Sequence, residues 1–385
     1  MLAARRVKLA YCIDSFAIGG TELNAVRTAE ALDPKHFDLR VIHLQADGPL
    51  LQRYRALGVE MLHLPISSFY TFQTARQGFQ LTRILRRWNI EVLHTHDVYT
   101  NIFAVPWARA LSDCRILASR RWWKATPRAG LGRLNRYACR FADRILANSS
   151  SVAAMLIAED GVPHEKVVEI PNFVEEHLFD DVSELARAAQ REAWGVPKGA
   201  FVVGSVARLA PIKNHALLIG AVATLATHCH LVLVGDGPSR GELQRLVDMF
   251  GINARVHFVG AVLGRTNWNQ FFDVSVLCST SEAFPNSILE ALAAARPVVA
   301  TRVGGIVDVV SDEQTGLLLQ RTDDREELAR LLNRLESDTY LRRKLGEAGR
   351  HMVRTRFHRD AVIERLSSLY RSMAEDPPLA IERSR

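Results

Sequence analysis

The sequence predicts an α/β protein made of two doubly wound parallel-sheet units of the Rossmann type. Its 385 residues are too many for one ordinary hydrophobic core, so we expect two domains of roughly 150 to 200 residues each. Short runs rich in Val, Ile and Leu alternate with amphipathic helical patterns along the whole chain. This alternation is typical of parallel sheets that are covered by helices on both faces.

Thirteen short apolar runs are predicted to be strands, because each is bounded by turn residues and followed by a helical pattern. Those of the first half are Val7–Asp14, Asp38–Leu44, Glu60–Leu64, Glu91–His96, Arg115–Ser119, Arg144–Asn148 and Lys166–Ile170. Those of the second half are Phe201–Ala207, His230–Gly235, Arg255–Gly260, Val274–Ser279, Pro297–Arg302 and Gly316–Leu319.

The predicted domains are residues 1–175 and 176–356. The segment Asn172–Pro197 contains no strand pattern and is interpreted as the linker. After Asp323 the pattern is helical, and its last amphipathic stretch, 357–373, is expected to pack back on the first domain.

Composition excludes several classes of protein. No run of eighteen apolar residues occurs, and Arg5, Arg6 and Lys8 interrupt the beginning of the chain. We therefore expect a cytoplasmic protein with neither a membrane span nor a secretory signal. The five cysteines are scattered without paired spacing, which favours reduced thiols over a zinc site or disulfides.

The most informative motif runs from Ser281 to Leu292, directly after a predicted strand. Pro285 is predicted to take the first helical position, and the free amides around it suit a diphosphate. Glu282 before the helix and Glu290 within it could accept hydrogen bonds from sugar hydroxyls. Alternatively, these two acids only compensate the helix dipole or face solvent. The residues of the expected binding turn are Ala283, Phe284, Pro285, Asn286 and Ser287.

A second motif consists of Arg208 and Lys213, which follow the first strand of the second half. Two cations where a strand passes into a helix could grip both phosphates of a leaving nucleoside diphosphate, or they could simply be solvated.

Two motifs in the first half also follow predicted strands. Gly19 and Gly20 open a helix and would let backbone amides approach a ligand, although an ordinary tight turn has the same pattern. His96 and Asp97 end the fourth strand and are expected at the mouth of a crevice, where a hydrogen-bonded surface pair is the alternative.

These motifs together resemble the family 4 (group 1) retaining glycosyltransferases of the GT-B fold, in which two Rossmann-like domains face a central cleft. The similarity covers nearly the whole chain. It is carried by GGTE at Gly19–Glu22, HTHD at His94–Asp97, ANSS at Ala147–Ser150, IPNF at Ile170–Phe173, RLAPIKNH at Arg208–His215, VGDGP at Val234–Pro238, VHFVG at Val256–Gly260 and EAFPNSILEALAAARPVVAT from Glu282.

The resemblance implies transfer of a sugar, with retention, from a nucleotide-diphosphate sugar to an acceptor. A lipid-linked or polysaccharide acceptor is expected from the basic segment 109–144. The resemblance also implies that the first domain faces the acceptor and the second binds the donor. Its implied catalytic residues are His96, Arg208, Lys213 and Glu282. Its implied donor-binding residues are Gly19, Gly20, Phe258, Val259, Gly260, Glu290 and the turn 283–287.

Two departures from the family pattern occur around the cationic pair. Ala207 stands where Gly is common, which alters the freedom of the backbone. Asn214-His215 stands where many relatives have Lys-Gly, so the helix could begin at a different place.

No metal or cofactor is expected. The chain contains no Asp-x-Asp triplet, so the cationic pair would replace a metal at the diphosphate. A nicotinamide-dependent dehydrogenase is a weaker alternative, because Gly235-Asp236-Gly237 matches the dinucleotide fingerprint loosely and opens the second βα unit of its domain. A nucleotide-sugar hydrolase or epimerase of the same fold, or a non-catalytic binding protein, also remains open.

The net charge of +7 is concentrated between residues 109 and 144, where ten basic residues stand against Asp113 and Asp143. Tryptophans lie among them, which predicts peripheral contact with an anionic membrane on its cytoplasmic face; a solvated basic surface over core tryptophans is the alternative. Nucleic acid is not expected, because no reading module is recognisable. The residues are Arg109, Arg115, Arg120, Arg121, Lys124, Arg128, Arg133, Arg136, Arg140 and Arg144, with Trp107, Trp122 and Trp123.

Overall fold

The computed structural model describes residues 5–123, 129–262, 264 and 266–375. These residues form two compact units. The first unit contains the described residues up to Asn172 and those from Asp360 onwards, and the second unit spans Phe173–Arg359. Each unit is built around one parallel sheet, as the sequence predicts.

The first unit has a seven-stranded parallel sheet in its described part, with strand order β3-β2-β1-β4-β5-β6-β7. Its strands are β1 (Val7–Ile13), β2 (Phe37–His43), β3 (Met61–His63), β4 (Val92–Thr95), β5 (Arg115–Arg120), β6 (Arg144–Ala147) and β7 (Val167–Glu169). Its helices are α1 (Gly20–Ala31), α2 (Leu51–Ala56), α3 (Phe72–Arg87), α4 (Val98–Leu111), α5 (Ala129–Cys139) and α6 (Ser150–Ala158).

The second unit has a six-stranded parallel sheet in its described part, with strand order β10-β9-β8-β11-β12-β13. Its strands are β8 (Phe201–Val206), β9 (Cys229–Val234), β10 (Val256–Gly260), β11 (Val274–Leu277), β12 (Val298–Thr301) and β13 (Leu317–Leu319). Its helices are α7 (Glu184–Ala193), α8 (His215–Ala223), α9 (Arg240–Phe250), α10 (Asn286–Ala293), α11 (Ile306–Val309), α12 (Arg325–Ser337) and α13 (Thr339–Arg356). Helix α14 (Arg359–Glu375) follows.

All thirteen predicted strands are present, and each ends within two residues of its predicted limits. The prediction succeeds because both faces of these sheets are buried, so a strand appears in sequence as a continuous apolar run. On β8, Phe201 and Val203 join the core beneath α8, α9 and α12, whereas Val202 joins the core on the opposite face. Successive side chains of a strand point to opposite faces, and both faces here are covered.

The segment interpreted as a linker is instead part of the second unit. Leu178 and Phe179 are only 3% and 2% exposed and pack against Ile288 and Leu292 of α10. Helix α7 follows, and Trp194 at its end packs against Phe271. The sequence lacked a strand pattern here, but its apolar side chains complete the core.

Helix α14 contacts the first sheet. From Asp360 onwards α14 belongs to the first unit, and Tyr370 is fully buried there against Tyr11 of β1 and Phe37 of β2.

Candidate functional site

Two loops come together where β8 and β11 end in the second sheet. These strands are neighbours, but the chain continues from β8 towards β9 and β10 and from β11 towards β12 and β13. At such a switch point the loops diverge and leave a crevice for a ligand. The amide of Thr280 donates to the carbonyl of Ile212 over 2.9 Å, which joins the loop after β11 to the loop after β8.

An ion pair between Lys213 and Glu282 lies at this switch point. The Nζ of Lys213 is 2.5 Å from Oε2 of Glu282, and Ser279 Oγ donates to the same carboxylate oxygen over 3.1 Å. Both charged side chains are largely shielded from solvent, with 23% and 13% exposed. The two residues come from motifs 69 positions apart, so the fold brings together two predicted site residues.

Arg208 lies in the same loop as Lys213 but has a different environment. It is exposed, and its side chain makes none of the hydrogen bonds or ion pairs found among the described residues. Its backbone is fixed on both sides, since Ala207 N donates to the carbonyl of Val234 over 3.0 Å and Leu209 N donates to the carbonyl of Asp236 over 3.0 Å. A fixed backbone with a free guanidinium suits the recognition of an anion.

The glycines once compared with a dinucleotide fingerprint have a packing role instead. A Cβ on Gly235 would collide with the carbonyl oxygen of Ala207, and one on Gly237 with that of Leu209. Gly235 also has a positive φ of 136°. The glycines therefore allow the loop after β9 to support the Arg208 loop, backbone against backbone.

The turn into α8 explains one departure from the family pattern. Asn214 has φ 48° and ψ 45°, the left-handed region that Asn tolerates better than most residues other than Gly. Its side chain donates to the carbonyl of Thr322 over 3.1 Å. Helix α8 then begins at His215, which is buried; burial and, secondarily, Lys213 lower the pKa of this histidine to about 4, so it is neutral beside the site.

Helix α10 begins one residue later than predicted. Pro285 is the residue before the helix, with φ −89° and ψ 96°, and Asn286 is the first helical residue. The prediction for Pro285 was wrong by one position, because the proline ring suits the residue flanking the helix as well as the first turn. Ala283 and Phe284 are buried, and the Phe284 ring packs on Phe357, so the side chain of Phe284 belongs to the core.

Two further predicted donor-binding elements flank this crevice. Glu290 is half-buried inside α10, and its carbonyl accepts a hydrogen bond from Asn267 over 2.8 Å. Strand β10 carries Phe258, Val259 and Gly260, all half-buried, and the Gly260 carbonyl accepts from the amide of Gly235 over 2.8 Å. The carboxyl end of β10 is thus hydrogen-bonded to the loop that supports Arg208.

The first unit has a corresponding switch point between β1 and β4. Gly19 precedes α1, and Gly20 is its first residue. A Cβ on Gly19 would collide with the carboxylate of Glu22, which folds back over the start of the helix. The paired glycines therefore make room for a carboxylate of the same turn.

Carboxylates dominate this switch point. Asp97 caps α4 by accepting from the amides of Tyr99 and Thr100, and its other oxygen accepts from the amide of Asp14 over 2.9 Å. Burial, and then the carboxylate of Asp14, raise the pKa of Asp97 to about 7. Burial likewise raises the pKa of Glu22. These groups disfavour phosphate and suit hydroxyl donors.

His96 does not lie at an exposed crevice mouth, and it is not hydrogen-bonded to Asp97. It is 1% exposed, and its ring packs between Tyr11 and His94, with centroids 4.4 and 3.9 Å away. Neither ring nitrogen has a hydrogen-bond partner among the described residues. Burial and then His94 lower its pKa well below the ordinary value, so the imidazole is neutral.

A buried hydrogen-bonded chain beside His96 was missed from the sequence. Ser119 Oγ lies 2.8 Å from Nε2 of His94, Nδ1 of His94 lies 2.6 Å from the hydroxyl of Tyr370, and that hydroxyl lies 3.0 Å from the hydroxyl of Tyr11. Helix α14 thereby fixes the ring that stacks on His96. No local pattern could reveal this, because Tyr370 is 276 residues from His94.

Much of the basic segment 109–144 is internally paired. Arg109 and Arg115 both bind the carboxylate of Asp143, and Arg120 and Arg136 both bind that of Asp160. The interpretation of this segment as one lipid-facing surface was therefore wrong for these residues, since charge counting ignores partners supplied by distant sequence. Lys124 and Arg128 lie outside the described residues.

Neither a membrane-spanning helix nor a metal-binding cluster is found among the described residues. None of their helices combines the length and apolar character needed to span a bilayer. No three His, Cys, Asp or Glu side chains among them are grouped so that they could hold a metal ion.

Comparison with known protein families identifies the family to which the chain belongs. Residues 18–178 match the model of the Glycosyltransferase Family 4, and residues 186–352 match that of the Glycosyl transferases group 1. The first match lies almost entirely in the first unit, and the second match lies within the second unit. The chain belongs to the group 1, family 4 glycosyltransferases.

Relatives of this glycosyltransferase include enzymes with different names. It is 25% identical over 315 residues to N-acetyl-alpha-D-glucosaminyl L-malate synthase of Bacillus anthracis, which covers 77% of this chain and 78% of that protein. It is 30% identical to D-inositol 3-phosphate glycosyltransferase of Thermomonospora curvata, over 60% of this chain and 57% of that protein. The chain thus spans little more than half the length of the second relative.

A solved structure supports the GT-B fold for this glycosyltransferase. The Anabaena protein HepE, crystallised in complex with UDP and glucose, superposes with a TM-score of 0.85 at 21% identity. The superposition covers 95% of this chain and 100% of that chain. At this identity the likeness shows the fold, which is the predicted two-domain α/β class.

Proposed function

We propose that this glycosyltransferase transfers a sugar from a nucleotide-diphosphate donor that binds at the β8/β11 switch point. The observation that carries the proposal is the shielded Lys213–Glu282 ion pair beside the exposed guanidinium of Arg208. A cation pair and a carboxylate at one strand-end crevice match a diphosphate next to a hydroxylated sugar. The UDP and glucose bound by HepE support a donor of this kind.

The ion pair suggests how the donor engages. Without donor, Lys213 neutralises Glu282. A donor phosphate would compete for the ammonium group, and the released carboxylate of Glu282 could then accept hydrogen bonds from sugar hydroxyls. As the diphosphate leaves, negative charge grows on its terminal phosphate, where Lys213, Arg208 and the start of α10 stabilise it more than in the ground state.

The acceptor is assigned to the first unit. Glu22, Asp97 and neutral His96 at its switch point suit hydroxyl groups and disfavour phosphate. A glycan or lipid-linked saccharide has such hydroxyls. The departing phosphate is the candidate group for taking the proton of the acceptor hydroxyl.

We also propose that the anomeric configuration of the donor sugar is retained and that transfer requires no metal ion. Retention is supported by the family resemblance. Metal independence is supported by the two cations of the clamp and by the lack of an Asp-x-Asp triplet in the sequence.

The function is tested by a screen of nucleoside diphosphates and their sugars. We expect one base to raise the melting temperature, and release of its diphosphate from the matching sugar donor to require an acceptor. EDTA should leave the rate unchanged, and NMR of the product should show the anomeric configuration of the donor.

Other outcomes separate the alternatives. Equal release without acceptor would indicate a hydrolase, and binding without any turnover would indicate a non-catalytic protein. Loss of activity with EDTA that Mg²⁺ or Mn²⁺ restores would contradict metal independence.

We further propose that helix α3 of the first unit contacts anionic lipid. Tyr70 and Phe72 are 82% and 89% exposed, and Phe79 is 56% exposed. Phe79 packs against Trp107 of α4 with ring centroids 5.0 Å apart. No acidic residue occurs between positions 60 and 91, so this stretch contributes no negative charge to the surface. Its exposed arginines are Arg76, Arg83, Arg86 and Arg87.

Vesicle co-sedimentation tests this lipid surface. The chain should bind vesicles containing phosphatidylglycerol but not phosphatidylcholine alone, and binding should weaken with salt. Each basic residue near such a surface contributes about 1 kcal/mol, so Arg83→Glu with Arg87→Glu should reduce binding at least tenfold. The control, Arg330→Glu with Arg343→Glu, makes the same charge change at exposed positions of the second unit and should bind like wild type. Equal binding by both double variants would refute the proposal.

A further inference from the structure

Two adjacent arginines at the end of β5 have opposite environments. Arg120 is paired: its Nη1 lies 3.3 Å from the carboxylate of Asp160, and its guanidinium stacks 4.1 Å from the centre of the Trp122 ring. Arg121 has no carboxylate within ion-pair distance among the described residues, and its Nη1 donates to the neutral amide oxygen of Asn172 over 3.0 Å. A charge count along the sequence cannot distinguish these two residues.

Arg121 is a shielded cation without a counterion. Its Nε is buried and has no hydrogen-bond partner among the described residues. Burial lowers its pKa to about 10, so the guanidinium is still charged at neutral pH. The other groups that act on its charge are the hydroxyls of Tyr370 and Tyr11 and, more weakly, the carboxylate of Glu22. A buried charge without a partner is costly, and an anionic ligand would remove that cost.

The neighbouring strand presents a second unsatisfied side chain. His96 follows β4, which pairs directly with β5, and both of its ring nitrogens lack partners although the residue is 1% exposed. The indole Nε1 of Trp122 is also buried without a partner in the described part of the chain. Ring or guanidinium nitrogens of Arg121, His96 and Trp122, which follow two neighbouring strands, therefore lack hydrogen-bond partners among the described residues.

We propose that Arg121 binds a carboxylate or phosphate group of the acceptor, next to the hydroxyl-bearing part that meets His96. This inference rests on the proposed function and narrows the acceptor to an anionic molecule. The acidic residues Glu22 and Asp97 face the hydroxyls, and Arg121 supplies a cation that has no carboxylate within ion-pair distance among the described residues. Arg121 is then a residue that determines acceptor specificity.

The proposal is tested by calorimetric titration with two simple anions, inorganic phosphate and malonate. Wild type is first saturated with UDP, so that the Lys213 site is occupied. We expect at least one anion to bind, and Arg121→Gln to weaken it roughly tenfold or more, as expected for a lost charged hydrogen bond. Preference for phosphate or for malonate identifies which group the acceptor carries.

Controls separate this proposal from the proposed function. Arg133→Gln removes an exposed arginine of the same unit and should bind anions like wild type. UDP affinity should be the same in Arg121→Gln as in wild type, and matching circular dichroism spectra should show that the variant is folded. The titrations are repeated without UDP in Lys213→Ala protein, so that they can be interpreted even if UDP does not bind. No anion binding by wild type, or equal binding by wild type and Arg121→Gln, would overturn the assignment.

Discussion

Replacing Lys213 or Glu282 with alanine should reduce sugar transfer roughly a hundred- to a thousand-fold, the usual cost of one contact that stabilises transition-state charge. Both side chains lie in strand-end loops and their removal leaves the sheet intact. In the proposed mechanism, Lys213→Ala removes a cation that stabilises the leaving diphosphate. Glu282→Ala removes the carboxylate that accepts hydrogen bonds from hydroxyls of the donor sugar. Initial rates at saturating and limiting donor measure both effects.

The ion pair between Lys213 and Glu282 also predicts how the effects of the two substitutions combine. Because the Nζ of Lys213 is 2.5 Å from Glu282, each single variant leaves a partly shielded charge without its partner. The double variant should therefore lose less activity than the product of the two single losses.

Matched controls come from the same unit. Lys198→Ala and Glu242→Ala remove one exposed charge of each sign and should keep wild-type rates. If Lys213→Ala and Glu282→Ala both retain more than about a third of wild-type turnover, where a hundred-fold loss is expected, the site is wrongly placed.

Replacing Asp143 with alanine should destabilise the protein by about 3 to 5 kcal/mol, as expected when a buried ion pair loses one member. Asp143 is 5% exposed, and its carboxylate accepts from Arg109 over 2.6 Å, from Arg115 over 2.8 Å and from the amide of Ile116 over 2.7 Å. Its removal leaves the guanidinium groups of Arg109 and Arg115 without this carboxylate. Urea unfolding followed by circular dichroism measures the loss.

The stabilisation that Asp143 provides should decrease at low pH. Burial alone would raise the pKa of Asp143, but hydrogen bonds from Arg109 and Ile116 outweigh it and hold the pKa below its ordinary value. The stabilisation is therefore present above the ordinary aspartate pKa, near 4, and is lost as pH falls through the lower pKa of the folded state. The difference in unfolding free energy between wild type and Asp143→Ala should shrink accordingly.

Asp113→Ala is the control for this experiment. Asp113 is the other acid of the basic segment, but it is exposed. Its loss should change the free energy of unfolding by less than about 0.5 kcal/mol. Similar losses in Asp113→Ala and Asp143→Ala would show that the buried ion pairs do not stabilise the first unit.

The candidate site could be found from sequence to the extent that its residues follow strands. Arg208 and Lys213 follow β8, Glu282 follows β11 and His96 follows β4, so parallel topology places them at sheet edges. The position of Pro285 was wrong by one residue because helix ends are weakly encoded. The ion pair between Lys213 and Glu282 could not be predicted, since it depends on β8 lying beside β11.

In the basic segment 109–144, the sequence alone does not predict which arginines are paired. Arg120 and Arg121 are adjacent and chemically identical, yet Asp160 neutralises one while the other bonds to Asn172. Both partners come from later in the chain. The exposed aromatic and basic surface of α3 was not predicted, because its four arginines are spread over more than three helical turns.

The two parallel sheets, their strands and the loops that carry chemistry can be predicted from the amino-acid pattern. The reason is that burial on both faces requires continuous apolar runs, and that strand ends are local features. The pattern does not predict which charges are neutralised, that His96 is buried with unpartnered nitrogens among the described residues, or that Tyr370 of α14 hydrogen-bonds to His94. The physical reason is that desolvation and hydrogen bonding depend on groups that the fold brings from distant positions, and no local pattern records them.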